Sequence, residues 1–193
     1  MGKLIAFDPS LTLAVGIDPS LTCTAMVCLP GVGPVPLRFS KGDNLSRVIK
    51  YARMVSRELW GAMELHSELS NVVVCIEAPH ANLKGNSLWL LPLFWRIMEE
   101  LLEYSNAAVY SVAPATLKKF ATGKGNAKKT MVGQAVERHW GTELPAEFFT
   151  DDEADAFALA KMARCIINPG GDWTAYQSEC AGKLKRYQIE KAM

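Results

Sequence analysis

Two apolar runs in this chain each end in a carboxylate and leave through a proline. Leu13-Ala14-Val15-Gly16-Ile17 runs into Asp18-Pro19-Ser20, and Val72-Val73-Val74-Cys75-Ile76 runs into Glu77-Ala78-Pro79. A short, near-continuous apolar run bounded by turn residues is the pattern of a strand buried on both faces. A carboxylate at the end of such a strand is costly unless a cation or hydrogen bonds compensate it. No Lys or Arg lies between Lys3 and Arg38. The counter-charge for Asp18 must therefore come from a distant part of the chain, from a metal ion or from water.

The intervening segments alternate in type. An imperfect repeat opens the chain: Phe7-Asp8-Pro9-Ser10-Leu11-Thr12 is echoed by Ile17-Asp18-Pro19-Ser20-Leu21-Thr22. Either aspartate could end a first strand, and two copies are too few for a solenoid. Strand formers at 23–29, turn residues at 30–34 and a further run at 35–40 predict a meander of three antiparallel strands. Asp43-Asn44 reads as a helix cap, followed by apolar residues at helical spacing from Leu45 to Met63. The spacing predicts a second helix over 87–104, apolar nearly all round, with Pro92 in its first turns. A strand over 107–112 and a short helix over 114–120 follow. Asn126 is positioned to cap a helix ending at Trp140-Gly141. Thr150-Asp151-Asp152-Glu153 is a capping box opening a helix to about Ile167. Gly170-Gly171 breaks the chain before a last segment, read as helical, that carries Lys183, Lys185, Arg186 and Lys191. This order implies an α/β fold: one mixed, five-stranded sheet with helices on both faces. The expected organisation is an N-terminal extension at 1–12, one domain at 13–169 and a C-terminal segment at 170–193.

Composition narrows the class. The chain has 193 residues, 49% of them hydrophobic and 21% charged, which suits one soluble domain with a sizeable core. Twenty-one Lys and Arg against 20 Asp and Glu hide a local segregation: Lys118, Lys119, Lys124, Lys128, Lys129 and Arg138 share their segment with one acid, Glu137. Five cysteines without a CxxC pair, and only three histidines, argue against a structural zinc site and for a reducing compartment. The longest apolar run, 88–95, is far short of a membrane span.

Four carboxylates carry the chemistry. Asp18 and Glu77 end buried strands; Asp152 and Asp155, three apart, share one helix face. In the parallel part of such a sheet, ligands gather at the carboxyl ends of the strands. An oxygen-only set without His or Cys suits Mg²⁺ or Mn²⁺. Two such ions roughly 3.5–4 Å apart would activate a water and stabilise a leaving 3′-oxygen in phosphodiester hydrolysis. Singly, each residue has a plainer explanation. Asp152 and Asp155 also favour a helix N-terminus through its dipole, and Asp18 also suits a turn before proline. Glu77 resists that, being a poor turn former after five apolar residues. The loop Gly123-Lys124-Gly125-Asn126 is not a P-loop. A charge run is usually a solvated face, yet glycines, a helix start and lysines coincide here as in a phosphate contact. His80 and His139 are lone histidines, and Trp89, Phe94 and Trp95 read first as core or interface.

These residues carry a family resemblance. GIDPSLTCTAMV resembles the first strand and hairpin of the RuvC-type Holliday junction resolvases, in the ribonuclease H-like superfamily. VVVCIEAP is similar to the family's second catalytic strand, VAPATLKKFATGKGNAKKTMV to its basic glycine loop, and DDEADAFALA to its closing helix. The four occur in the family's order across about residues 13 to 167. The resemblance implies a ribonuclease H-like fold, a homodimer in the cytoplasm of a bacterium or phage-infected host, and Mg²⁺-dependent paired nicking of four-way DNA junctions. The products would be 5′-phosphate and 3′-hydroxyl ends. By position it implies catalytic and metal-binding roles for Asp18, Glu77, Asp152 and Asp155. The family's lysine falls on Lys128 or Lys129, with Lys128 preferred. DNA contacts are expected from Lys118, Lys119, Lys124, Asn126, Lys128, Lys129 and His80, and a dimer interface from Trp89, Leu93, Phe94 and Ile97. The chain departs from the family in three respects: the aromatic wedge three residues after the glutamate is His80, and neither residues 1–12, with the Asp8 copy, nor the segment after Gly170 has a counterpart. Divergent members of this kind occur in bacteriophages. His80 leaves open a broader branched-DNA nuclease acting on flaps and Y-junctions. A non-catalytic junction-binding protein is a third reading, against which stands the presence of all four carboxylates.

Overall fold

A computed structural model of the chain describes residues 7–30, 35–38, 42–103, 107–144 and 150–187. Its centre is a six-stranded sheet in the order β3-β2-β1-β4-β5-β6. The strands are β1 (Thr12–Asp18), β2 (Cys23–Leu29), β3 (Val35–Arg38), β4 (Asn71–Glu77), β5 (Ala107–Val112) and β6 (Arg186–Tyr187). The expected meander is present, since β1 pairs antiparallel with β2, and β2 with β3. β1 pairs parallel with β4, and β4 with β5, so the sheet is mixed.

Every residue of β1 is buried, because helices cover both faces. Alternation sorts its side chains. Leu13, Val15 and Ile17 join Val48, Tyr51, Val55 and Leu59 of α1 (Asn44–Leu65), with Leu93 and Ile97 of α2 (Leu90–Leu102). Ala14 faces the other layer, where α3 (Pro114–Thr122), α4 (Lys129–Trp140), α5 (Asp151–Ile167) and α6 (Ala175–Gly182) pack. α5 lies directly on the sheet and is buried almost all round. Two sequence caps hold. The Asp43 carboxylate accepts from Ser46 N at 2.7 Å, and Thr150 and Glu153 form a reciprocal capping box.

Three expectations are corrected. The sheet has six strands, not five. The C-terminal segment folds as α6 and then turns back as β6, pairing antiparallel with β5 through Val109–Tyr187 and Tyr110–Arg186. Two residues are too few to show a period in sequence. The second helix is a 3₁₀ turn at Gly85–Trp89 that becomes α-helical at Leu90, with Pro92 in the first turn, where its missing N–H is not needed. α4 starts at Lys129 with Lys128 at the cap, not Asn126, and no side chain closes that end. The third strand is described over Val35–Arg38; residues 39–40, Tyr104 and Lys191 lie outside the described residues. No helix among the described residues is long and apolar enough to cross a membrane.

Candidate metal centre

The parallel register puts Ile17 of β1 opposite Ile76 of β4. Asp18 and Glu77 therefore end adjacent central strands on the same edge, and both point towards α5. The first turns of α5 meet them. Ligand-capable oxygens of Asp18, Glu77 and Asp155 all lie within 4.8 Å of one another, and these three form the one such cluster among the described residues. Asp18 is 7% exposed and Asp155 9%. The set contains no His or Cys, so its donors are hard oxygens that fit Mg²⁺ or Mn²⁺.

Asp152 sits differently. Its carboxylate accepts a hydrogen bond from Lys129 Nζ at 2.7 Å, and Lys129 also approaches Asp155 at 4.0 Å. Lys129 is the first residue of α4, and its neighbour Lys128, at the cap, is exposed. The ammonium at the acidic site thus belongs to Lys129. Neighbouring helix positions point about 100° apart, so moving the cap from Asn126 to Lys128 decides which lysine turns to the carboxylates.

A cleft of about 260 Å³ opens over the cluster, lined by Asp18, Ser20, Glu77, His80, Leu90, Pro114, Lys118, Lys129, Asp152 and Asp155 among others. Lys118 and His80 are therefore at the site, as expected by position. Lys124, Asn126 and Lys128 are exposed beyond it. Lys119 is engaged elsewhere, in an ion pair with Glu179 of α6 at 2.8 Å. Ser20, Leu90 and Pro114 carried no chemical signal in the sequence and join the rim because their elements converge there.

The carboxylates are held under electrostatic strain. Burial, then the neighbouring Glu77 charge, raises Asp18 well above the usual range. Burial also raises Glu77, against a hydrogen bond from Asp18 that lowers it. Burial pushes Asp155 up to about 7, with the Asp18 charge adding and Lys129 opposing. Burial pulls Lys129 down, but its bond to Asp152 and the charges of Asp152, Asp155 and Asp18 outweigh that and raise it. Carboxylates crowded this way favour either shared protons or a cation of higher charge.

A stability prediction follows. The folded-state value of Asp155 lies above its ordinary 3.8, so the folded protein holds a proton that the unfolded chain has released. The stabilisation is complete below about pH 4 and is lost as pH rises through about 7. At about 1.36 kcal/mol per pH unit the loss is at most about 4 kcal/mol. Melting in EDTA should give a lower Tm at pH 8.5 than at pH 5.5, and Mn²⁺ should restore it at the higher pH. A Tm that is flat or rising with pH in EDTA contradicts the carboxylate crowding.

No family model matches the chain, and no curated protein matches it. Solved structures do match. Thermus thermophilus RuvC aligns over 91% of this chain and 99% of its own, with a TM-score of 0.59 and 17% identity. The chain has the RuvC fold. T. thermophilus RuvC in complex with a Holliday junction substrate aligns to the same extent, at 16% identity and a TM-score of 0.59. The yeast mitochondrial Holliday junction resolvase Ydc2 aligns over 92% of this chain and 83% of its own at 12% identity, with a TM-score of 0.46. On the two RuvC alignments the expected fold resemblance holds, although few residues are shared. The residues expected at a dimer interface lie mostly inside this chain. Leu93, Phe94 and Ile97 are 0%, 3% and 0% exposed, spent on the core of this chain, and Trp89 packs partly against the same core. The face that the 3₁₀ turn and α2 leave open carries Leu88, Leu91 and Trp95.

Proposed function

We propose that this chain is a divalent-metal-dependent endonuclease that cuts branched DNA, with the four-way junction as its substrate and 5′-phosphate and 3′-hydroxyl ends as products. The observation that carries the reading is the Asp18–Glu77–Asp155 cluster at the strand ends of a RuvC fold. A RuvC of that fold was solved with a Holliday junction substrate, which supports the choice of DNA. Asp18, Glu77 and Asp155 would hold the ions, Mg²⁺ with Mn²⁺ as a substitute, and Asp152 would join them when Lys129 turns to a phosphate. The bound metal would supply Lewis-acid charge at the scissile phosphate and a nucleophilic water at neutral pH. Lys118 and Lys129 in the cleft would hold the phosphate beside the carboxylates, and Lys124 and Lys128 the flanking backbone. Binding should then fall steeply with salt. The five free cysteines agree with action in a reducing cytoplasm.

The test is cleavage of a synthetic four-way junction, a flap, a Y-junction and a linear duplex in Mg²⁺ and in EDTA. Junction cutting that needs the metal is expected. Junction binding in EDTA with no nicking in Mg²⁺ or Mn²⁺ would leave a binding protein instead. The second reading, a broader branched-DNA nuclease, is favoured by His80, which puts a polar ring on the rim of the cleft in place of an apolar wedge. Similar rates on flap and junction would select it.

Paired nicking needs two sites, and the open face of α2 supports a homodimer. Leu88, Leu91 and Trp95 are 51%, 43% and 53% exposed, a one-sided helical row of large apolar residues. A Leu91→Asp/Trp95→Asp variant should elute as a monomer with unchanged circular dichroism, where the parent elutes as a dimer. A monomeric parent removes the homodimer from the proposal.

A further inference from the structure

The carboxylate cluster depends on how closely α5 approaches β1. Towards its Asp18 end, the face of β1 that meets α5 carries Ala14, Gly16 and Asp18, none larger than an aspartate. The helix answers on one face with Ala156, Ala160 and Ala163, all buried. At Gly16 the two backbones nearly touch. A methyl group placed there would fall inside the envelopes of Ala156 O and Ala160 N, and 2.9 Å from the Leu159 carbonyl carbon. The obstacles are backbone atoms of a helix, which cannot swing aside as a side chain can. Gly16 lies in the middle of a regular strand, so the requirement is for space and not for an unusual backbone angle.

The contact has a chemical consequence because of where it falls. Ala156 is the residue after Asp155, and Gly16 is two residues before Asp18, one step along the same face of β1. Asp18 has a short side chain and meets Asp155 only because the helix is this low on the sheet. We propose that Gly16 is a positioning residue: its missing side chain lets α5 sink onto β1, and so brings Asp155 within ligand distance of Asp18 and Glu77. This rests on the metal-site reading above. With a methyl at 16, α5 retreats by about 1 Å or more to reach ordinary contact at about 3.5–4.0 Å. Asp155 leaves with it, and the oxygen set opens. Mg²⁺ and Mn²⁺ sites demand near-ideal ligand geometry, so the loss appears in metal affinity.

The experiment is Mn²⁺ binding followed by electron paramagnetic resonance, with melting measured in EDTA. Gly16→Ala should bind Mn²⁺ about tenfold or more weakly than the parent. Ala14→Val is the control. It crowds the same helix one step farther from the site, so it should lose stability and keep its Mn²⁺ affinity within about twofold. A Gly16→Ala/Asp155→Glu double variant, with a longer carboxylate on the displaced helix, should regain part of the affinity. If Gly16→Ala does not fold, Ala156→Val crowds the same contact from the helix side and carries the same expectation. Parent-like Mn²⁺ affinity in the folded variant would overturn the inference. So would an equal loss in Ala14→Val, because affinity would then track stability alone. A parent chain that binds no Mn²⁺ would sink the metal-site reading itself, and the inference with it.

Discussion

Asp18→Asn should abolish junction cleavage and at the same time stabilise the metal-free protein. The two effects have one cause. Asp18 is 7% exposed, hydrogen-bonded to Glu77 and close to Asp152 and Asp155, and burial with these neighbours disfavours its charge. A metal repays that cost; without it the carboxylate is a burden on the fold. Asn keeps the shape and can still hydrogen-bond to Glu77, but it brings no charge to hold a cation. Cleavage should fall on the order of 10³-fold or more, while Tm in EDTA at pH 8 rises and junction binding persists. Equal cutting by parent and variant would refute the site. Asp8→Ala is the companion variant. Asp8 precedes β1 and lies at its other end, roughly 20 Å along the strand. There its carboxylate accepts from Ser10 N at 2.9 Å and Ser10 Oγ at 2.7 Å in an exposed turn. That variant should cut like the parent.

Lys129→Ala should cost far more activity than Lys128→Ala. Lys129 Nζ is 2.7 Å from Asp152 and 4.0 Å from Asp155 and lines the cleft, so a phosphate seated over the carboxylates lies within its reach. A preorganised cation where charge develops is worth about 10²–10³ in rate. Removing Lys129 also leaves Asp152 without its partner, which raises the cost of assembling the acidic site. Lys128 is exposed at the helix cap. Its removal should weaken DNA binding modestly and reduce the salt slope by about one contact. Single-turnover rates at saturating enzyme separate the two, since they read chemistry and not affinity. A larger loss in Lys128→Ala would reverse the assignment.

The strand-end carboxylates were legible because their signal is local. Five apolar residues, an acid and a proline-containing exit describe a buried strand and its end without reference to any other part of the chain, and β1 and β4 end at Asp18 and Glu77. The capping box at Thr150 was legible for the same reason. Choosing between the two aspartates of the repeat was harder. Both are followed by Pro-Ser-Leu-Thr, and what separates them is that only Asp18 ends a strand whose parallel neighbour also ends in an acid.

What the sequence determined by itself is the set of central elements and four candidate carboxylates, of which the structure clusters Asp18, Glu77 and Asp155, since strand periodicity and helix caps are short-range. Tertiary structure alone decided which lysine enters the site, which face of α2 stays exposed, and how low α5 sits on the sheet. Each of these is a matter of orientation. A two-residue shift of the α4 cap, from Asn126 to Lys128, turns Lys129 rather than Lys128 towards the carboxylates. A helix apolar all round does not say which side the core takes, and here the core took Leu93, Phe94 and Ile97 and left Leu91 and Trp95, with Leu88 of the preceding turn. Gly16 reads as one more small residue in a strand until the backbone of α5 is placed against it.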